Sequence, residues 1–329
     1  MSKPLIGFYW CASCGGCEEA VVDLAEAVLD VVAAVDIVFW PVALDFKRSD
    51  VEAMADGEMA ACFINGAIRT SEQIEMAHLL RRKAKCVIAF GSCAQLGGIP
   101  GLANFCERSE ILDYVYGGAP SVTNGNVIRP QEETPVANGT VKLPAFEESV
   151  RTLAQTVDVD YFLPGCPPAV KLIAEAVQAL LSGKLPAKGS VLAPNIALCN
   201  ECPRKESKPD ELLIDKFQRP HLINVDSELC LLAQGLLCMG AVTRSGCGAA
   251  CVSGNMPCTG CLGPVDEVRD YGGKALSAFA SLAHADKAES IESALQGIPD
   301  PAGSFYRYSL PASLLFRRKN GISSREVPR

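Results

Sequence analysis

The sequence predicts an α/β fold with a mainly parallel sheet in its first half, followed by an irregular, cysteine-rich second half. Apolar strand-like runs alternate with amphipathic helical stretches up to about residue 185, which is typical of βαβ units. After Leu185-Pro186 this alternation fades, and eight of the 16 cysteines crowd between Cys199 and Cys261. A chain of 329 residues is also longer than one ordinary domain needs. We therefore expect two domains, residues 1–186 and 187–329.

The elements of the first half follow one another in a regular order. The runs predicted to be strands are residues 5–10, 36–42, 60–65, 86–90 and 161–163. Helical spacing of apolar residues predicts helices at 18–34, from about 71, and at 167–181. Residues 117–144 are rich in Gly, Pro and Asn, so we expect a long loop or a small hairpin there. In the tail we expect short helices at 275–283 and 288–295, and an extended run at 300–308.

Composition and charge exclude several classes of protein. The chain is 49% hydrophobic and 21% charged, which is a globular composition rather than a disordered one. A net charge of −8 argues against a nucleic-acid partner, because binding phosphates needs a basic surface. The most apolar long stretch, residues 20–40, is interrupted by acidic side chains, so we expect no insertion into a membrane. The N-terminus shows no signal-peptide pattern, and we therefore expect a cytoplasmic protein with reduced or metal-bound cysteines.

Three cysteine motifs of the first half share one position relative to the predicted strands. The motifs C-G-G-C at 14–17, G-S-C at 91–93 and G-C-P-P at 165–168 each follow a strand. Because loops at the carboxyl ends of parallel strands converge on one crevice, four thiolates could meet there around one centre. Four thiolates suit a 4Fe–4S cluster or a tetrahedral zinc ion. These thiolates belong to Cys14, Cys17, Cys93 and Cys166.

Two alternatives to a cluster explain this set less well. A thioredoxin-type redox motif would account for Cys14 and Cys17 but would leave Cys93 and Cys166 without a purpose. A structural zinc ion is the other alternative, although zinc ligands usually come in pairs that lie close in sequence. The cluster is therefore the favoured interpretation.

The second half carries a denser set of eight cysteines. A C-x-x-C pair stands at each end of the set, and several glycines lie among the four cysteines between them. Eight thiolates make two four-ligand sites, for which iron–sulfur clusters and structural zinc ions are the alternatives. A row of redox clusters would explain why the chain has further four-cysteine sites in addition to the first. The eight are Cys199, Cys202, Cys230, Cys238, Cys247, Cys251, Cys258 and Cys261.

The remaining cysteines and the histidines show weaker patterns. Cys11 could in principle replace Cys14, although the Gly-Gly spacing favours Cys14 as a ligand. The other three cysteines are interpreted as small buried or half-buried hydrophobic residues: Cys62, Cys86 and Cys106. The histidines are isolated and are interpreted as structural or exposed, so no catalytic residue is assigned: His78, His221 and His284.

The series of motifs resembles the small, electron-transferring subunit of nickel–iron hydrogenases, whose fold is shared by a cluster subunit of respiratory complex I. The resemblance extends to about Pro264. C-L-L-A-Q-G-L-L-C-M-G at 230–240 and N-M-P-C-x-G-C at 255–261 are most similar to the cytosolic, methyl-viologen-reducing type associated with heterodisulfide reductase. The resemblance implies a flavodoxin-like N-terminal domain and an iron–sulfur C-terminal domain. It further implies a chain that does not split hydrogen itself but passes electrons on.

Three 4Fe–4S clusters are implied by the resemblance. Cys14, Cys17, Cys93 and Cys166 would hold the proximal cluster, nearest the nickel–iron site of the large subunit. The family's order of ligands suggests Cys199, Cys202, Cys230 and Cys238 for the distal cluster, and Cys247, Cys251, Cys258 and Cys261 for the medial cluster. Cys199 and Cys251 stand where membrane-bound relatives usually have histidine and proline, which favours all-cysteine sites. Sequence order alone does not fix how the eight C-terminal cysteines are divided.

The resemblance also implies partners. These are a nickel–iron large subunit and an iron–sulfur acceptor subunit, a 2Fe–2S protein that feeds heterodisulfide reductase. One rival is the cluster subunit of a deazaflavin- or nicotinamide-reducing hydrogenase or of a complex I-like reductase. The complex I subunit normally lacks an eight-cysteine second domain, which argues against the complex I-like form of this rival. The second rival is a zinc-stabilised interaction protein without a redox role.

Overall fold

A parallel five-stranded sheet organises the first half of the chain. The structure is a computed structural model that describes residues 3–126, 128–283, 294 and 296–317. In chain order its strands are β1 (Leu5–Trp10), β2 (Asp36–Phe39), β3 (Ala61–Asn65), β4 (Ile68–Thr70), β5 (Val87–Phe90), β6 (Glu133–Val136), β7 (Gly139–Lys142), β8 (Phe146–Arg151) and β9 (Tyr161–Leu163). The main sheet has the order β2-β1-β3-β5-β9, and every neighbouring pair is parallel. This is the flavodoxin-like strand order, and it confirms the predicted fold class.

Helices cover the sheet and connect its strands. They are α1 (Gly16–Val22), α2 (Ala27–Ala34), α3 (Arg48–Ala53), α4 (Ser71–Lys83), α5 (Ser92–Leu96), α6 (Arg108–Asp113), α7 (Val170–Leu181), α8 (Ala250–Ser253), α9 (Tyr271–Ala280) and α10 (Pro301–Phe305). The prediction of one helix over 18–34 was wrong, because Ala25 has a left-handed φ of 51° that ends one helix before the next begins. Helix α4 begins where predicted, since Thr70 caps it and Gln73 completes the capping box.

The central strands are buried on both faces, as a parallel sheet between helical layers requires. Every residue of β3 is buried, and β5 is buried throughout. One core cluster contains Phe8, Phe63 and Phe90, and the other lies around Ile64 and Leu80. The sheet therefore provides a rigid base whose carboxyl edge carries the loops of interest.

Two small antiparallel pairs lie outside the main sheet. β6 and β7 form a hairpin in which Val136 pairs with Gly139, so the hairpin alternative for residues 117–144 is confirmed. β4 pairs with β8, and neither of these two strands was predicted from the sequence. Both are short, and β8 carries two glutamates that weaken its strand pattern.

The second half is irregular, as expected. Between residues 194 and 265 it consists mainly of turns and single 3₁₀ turns, with α8 as its one short α-helix among the described residues. Its apolar core gathers Phe217, Leu236 and Phe279 with cysteines from the predicted ligand set. In the tail, α9 begins at Tyr271, earlier than predicted, and most of residues 288–295 lies outside the described residues.

The segment predicted to be extended at 300–308 contains α10 instead. Asp300 accepts a hydrogen bond from the Gly303 N–H across 2.8 Å, and Pro301 occupies the first helical position. The segment then returns to the first half, where the Gly98 N–H donates to the Tyr308 carbonyl and Gln155 donates to the Pro311 carbonyl. In the described part of the chain, no helix is long and apolar enough to cross a membrane.

Candidate iron–sulfur cluster sites

The three cysteine loops of the first half lie together at the carboxyl edge of the sheet. Cys14 follows β1, Cys17 lies in the first turn of α1, Cys93 lies in α5 directly after β5, and Cys166 follows β9. Because β1, β3, β5 and β9 are successive neighbours in the sheet, these loops share one edge. Cys17 and Cys93 are buried, whereas Cys14 and Cys166 are exposed.

Gly91 allows these loops to approach one another. Its N–H donates to the Leu163 carbonyl, and the next N–H, that of Ser92, donates to the Gly165 carbonyl across 2.7 Å. Gly91 has a φ of 85°, and a Cβ atom placed on it would lie 2.4 Å from the Sγ atom of Cys17. A larger residue would therefore push Cys17 away from the Cys166 loop, so glycine is required here for steric reasons as well as for the backbone conformation.

The electrostatics of the four sulfurs show that they are mutual neighbours. Burial raises the pKa of the Cys17 thiol, and the negative charges of Cys93, Cys166 and Cys14 raise it further. Burial raises the pKa of Cys93 to about 12, and Cys166 and Cys14 add to the effect. Thiolates held this close repel one another unless a cationic centre lies between them, and a bound metal centre keeps such thiols deprotonated. The structure thus brings the four predicted residues together. We name them the N-terminal set.

A second group of four cysteines lines a cavity in the irregular half. Apolar side chains such as Leu198, Leu231 and Val252 complete the wall of this cavity. A Cβ atom on Gly240 would lie 3.6 Å from one of the four sulfurs and 3.8 Å from another, so this glycine lets the backbone run close beside them. The four cysteines, which we name the cavity set, are Cys199, Cys202, Cys230 and Cys238.

Within the cavity set, the thiolates raise the pKa of their neighbours. Burial raises the pKa of Cys199 to about 11, and the thiolate of Cys238 is the next largest cause. Lys208 opposes this rise, while Cys202 and Cys230 add to it. The cavity is therefore lined by apolar side chains and four cysteine sulfurs, which suits an inorganic cluster better than a hydrated ion.

The remaining four cysteines form a third group. Burial raises the pKa of Cys261 to about 12, and Cys247 and Cys251 are among the charges that raise it further. Burial also raises the pKa of Cys258, and Cys261 adds to this rise. We name Cys247, Cys251, Cys258 and Cys261 the linking set, because members of it contact both of the other groups.

The contacts of the linking set place it between the other two. The Ser92 hydroxyl, next to Cys93, donates to the Cys261 carbonyl. On the other side, the Cys258 N–H donates to the Sγ atom of Cys238 across 3.4 Å. The three groups therefore form a row.

Among the described residues, no group of three or more His, Cys, Asp or Glu side chains is identified as a site for a single metal ion.

The other cysteines and histidines lie away from these groups. Cys11 and Cys62 are buried together in the second core cluster, and each has a pKa that burial raises. Cys86 packs in the first core cluster, as predicted. The prediction that Cys106 is buried or half-buried was wrong, because this residue ends the 3₁₀ helix Ile99–Phe105 at an exposed position. His78 and His221 are exposed, and His284 lies outside the described residues.

Sequence reasoning missed several buried polar residues that support the groups. Glu18 is 4% exposed and accepts hydrogen bonds from Trp40 and from Asn65. Burial raises the pKa of this carboxyl, and the two hydrogen bonds oppose the rise. The side chain of Arg204 binds carbonyl groups from two segments beside the cavity set. The acidic residue type alone did not distinguish the buried Glu18 from its neighbour Glu19, which is exposed.

Comparison with known proteins shows the family of this chain. Residues 14–180 match the family described as NADH ubiquinone oxidoreductase, 20 Kd subunit. The iron-sulfur subunit of the F420-non-reducing hydrogenase of Archaeoglobus profundus is 37% identical over 93% of this chain and 95% of its own length. The corresponding subunit of the F420-non-reducing hydrogenase of Methanothermobacter thermautotrophicus is 38% identical over 95% of this chain and 96% of its own length. The chain belongs to this family of F420-non-reducing hydrogenase small subunits.

Membership of this hydrogenase family makes the chain an electron-transfer subunit of an oxidoreductase, and the resemblance seen in the sequence is confirmed. The fold agrees as well. A chain of the recombinant [NiFeSe] hydrogenase from Desulfovibrio vulgaris Hildenborough superposes with a TM-score of 0.53. The match covers 81% of this chain and 95% of that chain at 17% sequence identity, so it bears on the fold alone.

Proposed function

We propose that this hydrogenase small subunit holds three 4Fe–4S clusters in a row and conducts electrons between a nickel–iron large subunit and an iron–sulfur acceptor subunit. The N-terminal set would hold the proximal cluster, the linking set the medial cluster and the cavity set the distal cluster. The proposal rests on two hydrogen bonds of the linking set, one from the Ser92 hydroxyl to the Cys261 carbonyl and one from the Cys258 N–H to the Cys238 sulfur.

The residues present fit such clusters. Each set offers four thiols, and the backbone N–H group of Cys258 is already directed at the sulfur of Cys238. Hydrogen bonds of this kind stabilise anionic sulfur and adjust the reduction potential. When bound, the clusters supply one-electron acceptor and donor states. The chain itself provides the ligands, the dry walls and the fixed spacing.

The partners follow from the end positions of the row. The N-terminal set lies at the exposed carboxyl edge of the sheet, where Cys14 and Cys166 reach the surface, and this edge would face the nickel–iron subunit. The cavity set lies at the other end, beside exposed apolar residues such as Leu229, and would face the acceptor subunit. We propose that the acceptor is a 2Fe–2S subunit linked to heterodisulfide reductase and that the assembly is cytoplasmic.

Metal and sulfide analysis of anaerobically purified protein tests the proposal. Three clusters predict about twelve iron atoms and about twelve acid-labile sulfides per chain, at four of each per cluster. Zinc without sulfide would instead support a metal-stabilised interaction protein, and about four or eight irons would contradict the number of clusters. Purification of the native complex should also recover a nickel-containing subunit.

A further inference from the structure

The tail of the chain contacts two cysteine loops at once, the loop that follows Cys93 and the loop 258–261. Tyr308, which is 8% exposed, lies just after α10 and makes both contacts. Its hydroxyl oxygen lies 3.0 Å from the hydroxyl oxygen of Thr259, in the second loop. Its backbone carbonyl accepts a hydrogen bond of 2.9 Å from the N–H of Gly98, in the first loop. One tail residue therefore connects the N-terminal set to the linking set, although the tail supplies none of the proposed ligands.

Both contacts of Tyr308 act close to proposed ligands. Gly98 packs against Cys93, since a Cβ atom on this glycine would overlap the Cys93 Sγ atom. Gly98 also has a left-handed φ of 58°, so the loop takes a conformation there that glycine adopts without strain. On the other side, Thr259 is the residue directly after Cys258. A change in the distance between Gly98 and Thr259 would therefore move one proposed ligand relative to the other.

Pro311 holds the tail on the first half of the molecule. A Cβ atom on either Gly97 or Gly101 would overlap the Pro311 ring, so these two glycines form a notch that the ring fills. The Gln155 side chain donates to the Pro311 carbonyl across 2.7 Å. The tail is thus fixed to the first half independently of the Tyr308 hydroxyl. That hydroxyl is then free to hold the second half in place.

A second hydroxyl contact crosses between the same two loops. The Ser92 hydroxyl, next to Cys93, donates to the Cys261 carbonyl. A single contact would leave the loops free to turn about it, whereas two contacts at separate points fix both their distance and their tilt. The contact of Tyr308 with Thr259 is the second of these points. Electron transfer between neighbouring centres slows steeply as their separation grows, so this geometry matters for a chain that passes electrons on.

We propose that Tyr308 is a positioning residue that fixes the separation of the proximal and medial clusters through the contact of its hydroxyl with Thr259. This inference rests on the proposed function, because it needs one cluster in the N-terminal set and one in the linking set. Without the contact, the loop 258–261 can turn about the remaining contact at Ser92. The two clusters then lie farther apart on average, and the magnetic interaction between them in the reduced state weakens.

The test measures this interaction as the splitting of the proximal and medial EPR signals in the hydrogen-reduced, purified hydrogenase complex. Iron and acid-labile sulfide are measured on the same samples. Tyr308→Phe removes the hydroxyl but keeps the ring and the backbone carbonyl, and Thr259→Val removes the partner hydroxyl at nearly constant shape. Thr259→Ser retains that hydroxyl. Tyr161→Phe is the matched control, because the Tyr161 hydroxyl donates to the Pro186 carbonyl, away from the two loops.

We expect full iron content and a smaller splitting in both Tyr308→Phe and Thr259→Val. The double variant should show no larger change than either single variant, because all three remove the same contact. Thr259→Ser and Tyr161→Phe should keep the wild-type splitting.

Several results would overturn the inference. Wild-type splitting with full iron in both single variants would do so, and so would additive effects in the double variant. Loss of iron from both single variants would also do so, because the contact would then serve cluster assembly rather than spacing; if only one loses iron, the other decides. A wild-type complex without splitting, or with fewer than about twelve irons per chain, would instead contradict the proposed function.

Discussion

The backbone N–H of Cys258 donates a hydrogen bond to the Sγ atom of Cys238 across 3.4 Å. The two residues belong to different four-cysteine groups, the linking set and the cavity set. Together with the hydrogen bond from the Ser92 hydroxyl to the Cys261 carbonyl, this bond connects the linking set to both other groups. Such an order is what a path for electrons requires, since each centre must lie next to its donor and its acceptor.

Cys93→Ser tests the assignment of the N-terminal set. The variant should lose about four irons per chain, because a cluster needs its full ligand set. Hydrogen-dependent reduction of a viologen dye by the purified complex should fall to background. Cys106→Ser is the control, since Cys106 is an exposed free cysteine outside the three groups. Full iron content with unchanged dye reduction in Cys93→Ser would show that Cys93 is not a ligand.

Gly91→Ala tests the steric requirement at the same site. The new methyl group would lie 2.4 Å from the Cys17 sulfur, so the loops must separate and the iron content should fall. Gly189→Ala is a matched control, because its φ of 88° is similar but nothing lies within 4 Å of the added atom. Both substitutions add backbone strain, because L residues rarely adopt a positive φ. Equal iron content in the two variants would contradict a specific role for Gly91.

Arg204→Met tests how the wall of the cavity set is held together. The Arg204 guanidinium donates to the carbonyls of Asp226, Leu229 and Val252 and to the side chain of Asn255. Losing these bonds leaves buried acceptors unpaired, and we expect the free energy of unfolding to fall by about 2–3 kcal/mol. The measurement is chemical denaturation of the cluster-loaded protein under anaerobic conditions. Arg219→Met, at an exposed position, should change the stability by less than about 0.5 kcal/mol.

Much of the first half could be predicted because apolar periodicity and the position of a loop after a strand are visible in short stretches of the sequence. The five strands of the main sheet follow from apolar runs, and their order places C-G-G-C, Cys93 and Cys166 at one edge. The break at Ala25 was missed, since nothing in the apolar spacing of 18–34 signals a left-handed residue. The helix α10 was missed although Asp300-Pro301 is a helix-start signal, because the apolar and aromatic residues that follow suggested an extended run.

The arrangement of the second half could not be derived from the sequence in the same way. Its cysteines show that two four-ligand sites are available, but their division depends on contacts between distant segments. The cavity lined by Cys199 and Cys238 and the bond between Cys258 and Cys238 exist only in the folded chain. Thr243 and Tyr271 carry no motif at all, yet their hydroxyl groups form a buried contact between residues 28 positions apart.

Electron passage through the middle of the row is the most direct test of the account. The double variant Cys247→Ala/Cys251→Ala should lose about four irons and leave the other two clusters in place. After rapid mixing of the purified hydrogenase complex with hydrogen, EPR of frozen samples should show the proximal cluster reduced and the distal cluster still oxidised. Reduction of the distal cluster at the wild-type rate would contradict a row in which the linking set lies between the other two.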